Sequence, residues 1–377
     1  MKFKILDIIP AFFILLIIFS CKNSSEKKVN LKKHFNIEFL VGTYTNDSSE
    51  GIYKVILNEL GEFKIKSLVA KIENPSYLSL SKNGNYIYAA QENELGKIFA
   101  YQWNNKRDSL IQIDVKNSFG KHPCYVSVNK DNTVLSFANY STGNVGFVEL
   151  TKEGKFKSKI VMKQHEGKGV VKGRQDEPHA HCSIFKNNEV FYAVDLGLDQ
   201  VIKYDVKNTH TNTKKIAIKS VEGDGFRHLV FHPNKEVAYI INEFTNSIIV
   251  SEIDGDTGLF NKIQQISTLP KENTKESFAA DIHISKDGKF LYASNRGHNS
   301  ISVYSIEDNG KLLLKSNTDV EGNWPRNFTL SKDGEFVLVA NQFSNNITVF
   351  KRDSLTGKLK FTGNQLEIST PVFISPL

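Results

Sequence analysis

One phrase recurs seven times along this chain, and its length sets the architecture. Each copy opens with an anchor that is usually proline, continues through an alternating apolar strand, a Lys/Asp/Gly turn and a second strand, and closes with a small residue followed by a polar one. The anchors stand at Pro75, Pro123, Pro178, Phe226, Ala279, Pro325 and Pro371. A repeat of roughly 50 residues with several short strands in each copy is typical of the blades of a β-propeller.

The second strand of each copy ends at a nearly constant distance from its anchor. The offset is identical in five copies and one position longer in the third. The end residues are Glu92, Tyr140, Leu196, Glu243, Arg296 and Gln342. With 40% hydrophobic residues, a chain of 377 has enough apolar side chains for one large core. We therefore predict an all-β, seven-bladed β-propeller over residues 37–377.

The seventh copy is divided between the two ends of the chain. Its anchor strand begins at Pro371, whereas the stretch from Phe39 to Tyr44 matches the second strand of the other copies. Pairing of these N- and C-terminal strands would close the ring and leave no exposed sheet edge. Deletion of the last seven residues is accordingly expected to open the ring.

The N-terminal segment has a different character. Two lysines precede an apolar run from Ile8 to Phe19, which is short for a membrane span and has the layout of a secretory signal. The run ends at Cys21 in a phrase that resembles a bacterial lipoprotein cleavage box. We predict a lipoprotein-type signal over residues 1–21, lipidation of Cys21 and a polar tether over 22–36. The protein would then be exported and anchored by its lipid on the periplasmic or cell-surface side. A plain cleaved signal and a short anchor are the alternatives.

The remaining composition restricts the partners. The formal charge is +7, but the sequence has no Lys/Arg-rich run with interleaved aromatic residues of the kind expected for nucleic-acid binding. We expect no nucleic-acid partner, no cofactor and a monomer. Cys124 and Cys182 lie in the anchor strands of adjacent blades, where buried free thiols are favoured over a disulfide.

Two positions of each copy should face the central channel. The residue after the anchor is ionisable at His179, Arg227 and Arg326, and the end of the second strand supplies Glu92, Glu243 and Arg296. All of these except Glu92 come from blades that are neighbours in the ring, so we expect those five side chains to converge. Arginine can bind a carboxylate or phosphate in bidentate fashion and can stabilise an oxyanion, and Glu or His can accept a proton from water. The alternative is that they only link the blades by hydrogen bonds.

The sequence gives weaker evidence for a metal site and for a functional role of the remaining histidines. His179 and His181 are one residue apart in a strand and could form a metal pair, but no further ligand stands at a suitable spacing, so no metal site is predicted. His228 follows Arg227 directly and should face away from it. His232 lies in a turn and His283 lies in the middle of a strand, where packed or surface histidines are common.

Several phrases resemble one known family. They are Val41-Gly42-Thr43-Tyr44-Thr45, Pro178-His179-Ala180-His181, Arg227-His228-Leu229-Val230-Phe231-His232-Pro233, Asn242-Glu243, Ala280-Asp281-Ile282-His283, Asn295-Arg296, Pro325-Arg326-Asn327-Phe328 and Ala340-Asn341-Gln342. Together they resemble the seven-bladed propeller lactonases, which include propeller-type 6-phosphogluconolactonases and carboxy-muconate cyclases. The resemblance implies functional residues at His179, Arg227, Glu243 and Arg296. Phe226 departs from the family, which usually has proline there.

The resemblance implies hydrolysis of a sugar lactone by an enzyme of the 6-phosphogluconolactonase type. Glu243 or His179 would activate the water, Arg227 would stabilise the oxyanion, and Arg296, Arg326 and His181 would contact the substrate. No Ser-centred nucleophile elbow is present, so no acyl-enzyme is expected. Because export separates the protein from cytoplasmic sugar phosphates, an unphosphorylated lactone fits better than a phosphorylated one. The alternatives are an isomerase acting on a muconate-like dicarboxylate and an anchored propeller that binds without catalysis.

Overall fold

The computed structural model describes residues 36–207 and 215–377, and all of its regular elements there are β-strands. The predicted signal, Cys21 and almost all of the tether lie outside these residues. The strands form seven antiparallel sheets of four strands each. Inner strands of successive sheets contact one another around a closed ring, which confirms the predicted seven-bladed β-propeller. Within the described ranges, no helix is long and apolar enough to cross a membrane.

Each blade takes its strands in chain order except the seventh. Blade 1 contains β4 (Pro75–Leu80), β5 (Tyr86–Gln91), β6 (Lys97–Trp103) and β7 (Leu110–Asn117); blade 2 contains β8 (Pro123–Val128), β9 (Val134–Asn139), β10 (Asn144–Leu150) and β11 (Phe156–Gln164); blade 3 contains β12 (Ala180–Phe185), β13 (Val190–Asp195), β14 (Gln200–Asp205) and β15 (Lys215–Lys219). Blade 4 contains β16 (Phe226–Phe231), β17 (Val237–Asn242), β18 (Ser247–Ile253) and β19 (Phe260–Ser267); blade 5 contains β20 (Phe278–Ile284), β21 (Phe290–Arg296), β22 (Ser300–Ile306) and β23 (Leu312–Asp319); blade 6 contains β24 (Pro325–Leu330), β25 (Phe336–Asn341), β26 (Asn346–Arg352) and β27 (Leu359–Glu367).

Blade 7 joins the two ends of the chain. It contains β28 (Pro371–Pro376), β1 (Ile37–Thr43), β2 (Gly51–Leu57) and β3 (Phe63–Lys71). The C-terminal β28 pairs antiparallel with β1, from Phe39 opposite Pro376 to Thr43 opposite Pro371. The predicted closure by terminal strands is therefore confirmed, and the inner edge of blade 7 is covered.

Apolar side chains fill the spaces between neighbouring sheets. The buried clusters join side chains of adjacent blades, so the core is a ring of interfaces rather than one central mass. A repeated hydrogen bond links the blades at their outer turns. The hydroxyls of Tyr192, Tyr239 and Tyr292, on the second strands of blades 3, 4 and 5, each donate to the carbonyl of a glycine in the next blade, at 2.8 to 3.0 Å.

A β-bulge near the start of the innermost strand determines which side chains enter the channel. In blade 4, Phe226 pairs with Asn242 and His228 pairs with Ile241, so Arg227 has no partner in the ladder. A bulge places consecutive residues on the same side of a strand. The bulge therefore lets Arg227 and His228 both enter the channel, and the prediction that His228 faces away from Arg227 is wrong.

The same bulge changes the alignment of blade 3. Ala180 pairs with Asp195 and Cys182 pairs with Val194, so His181 occupies the position that Arg227 has in blade 4. His179 lies one residue before β12. The predicted equivalence of His179 with Arg227 is therefore wrong. The proline of this copy, Pro178, lies two residues before Ala180, which is the equivalent of Phe226. Because the β12–β13 turn is one residue shorter than the β16–β17 turn, the count from Pro178 to the end of the second strand differed by only one from the other copies and concealed the shift.

Candidate functional site

The channel mouth contains a buried carboxylate shared by three arginines. Glu243 follows β17, and its backbone amide donates to the carbonyl of Gly225 at 2.7 Å. One of its carboxylate oxygens, Oε2, contacts Arg296 Nη2 at 2.8 Å and Arg227 Nε at 3.2 Å. The other, Oε1, accepts a hydrogen bond of 2.7 Å from Arg174 Nη2. Blades 4 and 5 and the loop before blade 3 therefore meet at one anionic side chain.

Arg174 was not among the predicted site residues. It lies between β11 and β12, in a segment without strand periodicity. The sequence signal for this loop was that the interval from Pro123 to Pro178 is the longest between successive anchors. Gln175 stabilises the loop. Its side-chain oxygen accepts hydrogen bonds from the backbone amides of Val170 and Val171, and its side-chain nitrogen donates one to Leu196 O. The Arg174 side chain is 40% exposed, so the cluster is open to ligands on this side.

The cluster is strongly polarised. Burial would raise the pKa of Glu243, but the charges of Arg296, Arg227 and Arg174 outweigh burial and lower this pKa to about 2. Burial, together with the charges of Arg296 and Arg326, lowers the pKa of Arg227 to about 10. Glu243 is thus a carboxylate at any physiological pH, and Arg227 remains a guanidinium. The channel mouth therefore contains three guanidinium groups around the Glu243 carboxylate, which is a weak base.

His179 lies in the adjoining wall of the mouth. Its ring stacks on Tyr140, with centroids 4.5 Å apart and planes 11° from parallel. Its Nδ1 is 3.2 Å from the carbonyl oxygen of Tyr140, and its backbone amide donates to Asp195 Oδ1 at 2.9 Å. Asp195 is held in turn by His165 Nδ1 at 2.6 Å. A proton on Nδ1 satisfies the carbonyl and leaves the Nε2 lone pair of His179 free to accept a proton.

Tyr140 connects His179 to the carboxylate cluster. The phenol of Tyr140 lies close enough to Glu243 and to Arg174 for both charges to act on its pKa. Burial is the main cause that raises this pKa, so the phenol is neutral. The candidate base and the arginine cluster consequently share one wall, built from blades 2 to 5.

The wall formed by blades 6, 7 and 1 contains Arg326. Its guanidinium lies 5.3 Å from the centre of the Tyr44 ring, and its Nη2 is 3.7 Å from Glu92 Oε1. The Tyr44 hydroxyl donates to the same Glu92 oxygen at 2.8 Å. Glu92 stands at the position in blade 1 that Glu243 has in blade 4, at the same offset from the anchor. Arg326 and Arg227 line the same small cavity of the channel.

Aromatic rings close the channel below the arginines. Tyr77 stacks on Tyr125 at 4.0 Å and packs against Phe373 at 4.5 Å, and His228 meets Tyr125 edge-on at 5.5 Å. His181 lies above this floor. Its ring is 5.2 Å from that of His228, and its Nδ1 is 3.9 Å from Cys124 Sγ.

Burial keeps the imidazole of His181 and the thiol of Cys124 neutral beside this floor. Burial, with the nearby charge of Arg227, holds the pKa of His181 well below its usual range. Burial is the main cause that raises the pKa of Cys124 far above its usual range. The two sulfhydryls are free and buried, in agreement with the prediction for Cys124 and Cys182. In residues 36–207 and 215–377, no group of three or more His, Cys, Asp or Glu side chains is arranged to hold a metal ion.

The structure brings the predicted residues together to different degrees. Glu243, Arg227 and Arg296 are in direct contact, His179 joins them through Tyr140, and Arg326 faces them from blade 6. His232 takes no part in the mouth, since its Nε2 lies 3.1 Å from Gly288 O in the β20–β21 turn. Sequence reasoning missed Arg174 and Tyr140 as members of the site, and it undervalued His228 and Asp281.

Comparisons with known proteins agree with this architecture. Residues 38–376 match the family model described as a lactonase with a seven-bladed β-propeller. The chain is 33% identical to a 6-phosphogluconolactonase of Bacillus subtilis, over 89% of this chain and 96% of the relative. It is 38% identical to a 6-phosphogluconolactonase of Formosa agariphila, over 87% and 96% of the two chains. Among solved structures it superimposes on the periplasmic gluconolactonase of Pseudomonas aeruginosa with a TM-score of 0.85 and 28% identity, covering 91% of this chain and 99% of the other.

Proposed function

Because this chain belongs to the family of seven-bladed β-propeller lactonases, we propose that it hydrolyses the ring ester of a sugar lactone in the channel mouth. The observation that carries the proposal is the cluster of Arg174, Arg227 and Arg296 around Glu243, beside His179. Relatives of similar length named 6-phosphogluconolactonase and gluconolactonase support the reaction class.

His179 is the better candidate for the general base. The pKa of Glu243, about 2, makes this carboxylate a poor proton acceptor at neutral pH. His179 has its Nδ1 side occupied by the carbonyl of Tyr140, so that its Nε2 is available for a water molecule. We assign to Glu243 the role of holding the three arginines in place.

The proposed reaction needs no covalent enzyme intermediate. A water oxygen bonds to the lactone carbonyl carbon while its proton passes to His179 Nε2, and the carbonyl oxygen becomes an anion facing Arg227 and Arg296. The ring C–O bond then breaks, and the protonated His179 returns its proton to the leaving alkoxide. The products are a hydroxy acid, ionised at neutral pH, and one released proton. Arginine side chains already fixed by Glu243 need little reorganisation as the negative charge develops.

An unphosphorylated sugar lactone is the proposed substrate. The predicted export would separate the protein from cytoplasmic sugar phosphates, and its similarity to the periplasmic gluconolactonase of Pseudomonas aeruginosa supports this location. We further propose that Cys21 carries a lipid that tethers the propeller to a membrane, and that the protein acts as a monomer.

The proposed function is tested by proton release. Full-length protein is mixed with gluconolactone, with and without a 6-phosphate, and compared with His179→Gln and Arg227→Ala. The expected loss of kcat is about 100-fold or more for the histidine and about 100- to 1,000-fold for the arginine. His122→Gln is the control, since His122 lies beside an anchor proline but bonds to Ser141. Wild-type protein that fails to exceed spontaneous hydrolysis of either lactone would contradict the proposal and favour a binding propeller.

A further inference from the structure

A chain of buried polar groups runs from Arg227 down through the floor of the channel. Arg227 Nη1 lies 3.3 Å from His228 Nε2, and His228 Nδ1 lies 2.8 Å from Asp281 Oδ1. The side chains are 2%, 7% and 3% exposed, respectively. The proposed reaction uses Arg227 but neither His228 nor Asp281. Two sequence phrases that the reaction leaves unexplained, Arg227-His228 and Asp281-Ile282-His283, thus meet at this point.

Asp281 is fixed from several blades. Its Oδ2 accepts a hydrogen bond from Asn327 Nδ2 of blade 6 and lies 2.9 Å from His283 Nε2. Its backbone amide donates to Ser294 Oγ at 3.0 Å. Asn327 is itself held, because its Oδ1 accepts the amide of Ile374 in blade 7 at 2.8 Å. The carboxylate that faces His228 is therefore supported by blades 5, 6 and 7.

The hydrogen-bonding partners determine which nitrogen of His228 carries the proton. A guanidinium only donates hydrogen bonds, so the nitrogen facing Arg227 must be an unprotonated acceptor. The proton then lies on Nδ1, which donates to Asp281, an acceptor in its ionised form. A proton on Nε2 would instead place two N–H groups against each other across the short contact with Arg227. The arrangement requires a neutral His228 in its Nδ1-protonated form.

We propose that Asp281 and His228 are positioning residues for Arg227, with Asp281 selecting the tautomer of His228 and His228 Nε2 aiming the guanidinium at the reacting carbonyl. The kinetic effects expected from this inference rest on the proposed function, whereas the protonation of His228 on Nδ1 does not. Arg227 Nη1 also donates to Ala280 O, and its Nε faces Glu243. The guanidinium is thus held from below by blades 4 and 5 and from the mouth by Glu243.

Protonation of His228 would break this arrangement. The ring would then carry a positive charge beside Arg227 and would present a donor to a donor. Burial, followed by the charge of Arg227, lowers the pKa of His228 to about 4, so the neutral form prevails at neutral pH. The groups that face His228 from the packed elements are Arg227, Asp281, His181, His283, Tyr77 and Tyr125.

Two substitutions of His228 separate positioning from packing. In His228→Gln the side-chain oxygen can take the place of Nε2 and accept from Arg227, whereas in His228→Asn the shorter side chain can reach Asp281 but not Arg227. We expect His228→Asn to lower kcat about 10- to 100-fold with KM changed less than about threefold, because Arg227 acts on charge that develops only in the transition state. His228→Gln should retain kcat within about fivefold, because the guanidinium of Arg227 keeps an acceptor. His232→Gln, at a buried histidine in the turn after the same strand, is the matched control and should leave the kinetics unchanged.

The tautomer is read directly by nitrogen NMR of ¹⁵N-histidine-labelled full-length protein, with the His228 signals assigned from His228→Gln. The expected wild-type result is a neutral ring with its proton on Nδ1 at pH 7. In Asp281→Asn, we expect the proton to move to Nε2, because the amide can donate to Nδ1, and we expect kcat to fall about 10-fold or more. A wild-type Nε2–H tautomer, or unchanged kcat in a folded His228→Asn protein, would overturn the inference. If wild type shows the Nδ1–H tautomer but hydrolyses no lactone, the proposed function fails while the hydrogen-bonded arrangement stands.

Discussion

Replacement of Glu243 by glutamine removes the carboxylate shared by Arg174, Arg227 and Arg296. The folded protein lowers the pKa of this carboxylate from 4.5 to about 2. At about 1.4 kcal/mol for each pKa unit, the folded state favours the ionised form by roughly 3 kcal/mol. Removal of one partner from a buried ion pair typically destabilises a protein by about 3–5 kcal/mol, which is of the same size. We therefore expect Glu243→Gln to lose about 3 kcal/mol of unfolding free energy at pH 7.

The pH dependence of this loss has a definite sign. Because the folded-state pKa is depressed, ionised Glu243 contributes its full stabilisation above the unfolded-state pKa of about 4.5, and the contribution disappears as the pH falls through about 2. At pH 3 less than half of the difference between wild type and Glu243→Gln should remain, about 1.4 kcal/mol. The mutation should also lower kcat/KM, since the three arginines lose the group that holds them.

Urea unfolding at pH 7, 5, 4 and 3 measures this difference. Glu94→Gln is the matched control, because Glu94 pairs with Lys121 at the exposed rim of blade 1, and its loss should cause no measurable change. Equal stability of Glu243→Gln and wild type at pH 7 would refute the account of the cluster. A difference of the same size at pH 7 and pH 3 would show that ionisation of Glu243 is not its cause.

Three further predictions concern other parts of the protein. Deletion of residues 371–377 removes β28 with its buried Val372, Phe373 and Ile374. Burial of each side chain contributes about 2 kcal/mol of stability, so the deletion should abolish the cooperative thermal unfolding that circular dichroism measures. A sharp transition would show that blade 7 does not need this strand. Cys124 and Cys182 are buried, so neither should react with a thiol reagent until the chain is unfolded, and fast labelling of either in native protein would contradict their placement. Arg174→Ala should raise KM about 10-fold with a small change in melting temperature, because this side chain is 40% exposed; an unchanged KM would exclude it from substrate contact.

The architecture was readable from the sequence because it is repeated. A strand pair that recurs at intervals of roughly 50 residues has few folds available. The match of Phe39–Tyr44 to the second strand of other copies located the closure of the ring. The convergence of Arg227, Glu243 and Arg296 followed from the same repetition, because equivalent positions in a propeller face the same channel.

The parts that sequence reasoning missed depend on departures from the repeat. Alternation of side chains predicted opposite directions for Arg227 and His228, but the bulge turns both into the channel. Arg174 reaches Glu243 from a loop whose course is set by hydrogen bonds of Gln175 rather than by any periodic pattern. The weak basicity of Glu243 arises from three arginines that are distant from it in sequence. The choice of His179 over Glu243 as the candidate base therefore required the assembled structure.

The central claim is that the channel mouth opens a lactone, and its most direct test is the rate of proton release from gluconolactone catalysed by full-length protein and by His179→Gln. We expect hydrolysis well above the spontaneous rate, faster on the unphosphorylated lactone than on its 6-phosphate, and a loss of about 100-fold or more in kcat for the variant. Hydrolysis at the spontaneous rate by folded wild-type protein, or equal turnover by wild type and His179→Gln, would contradict it.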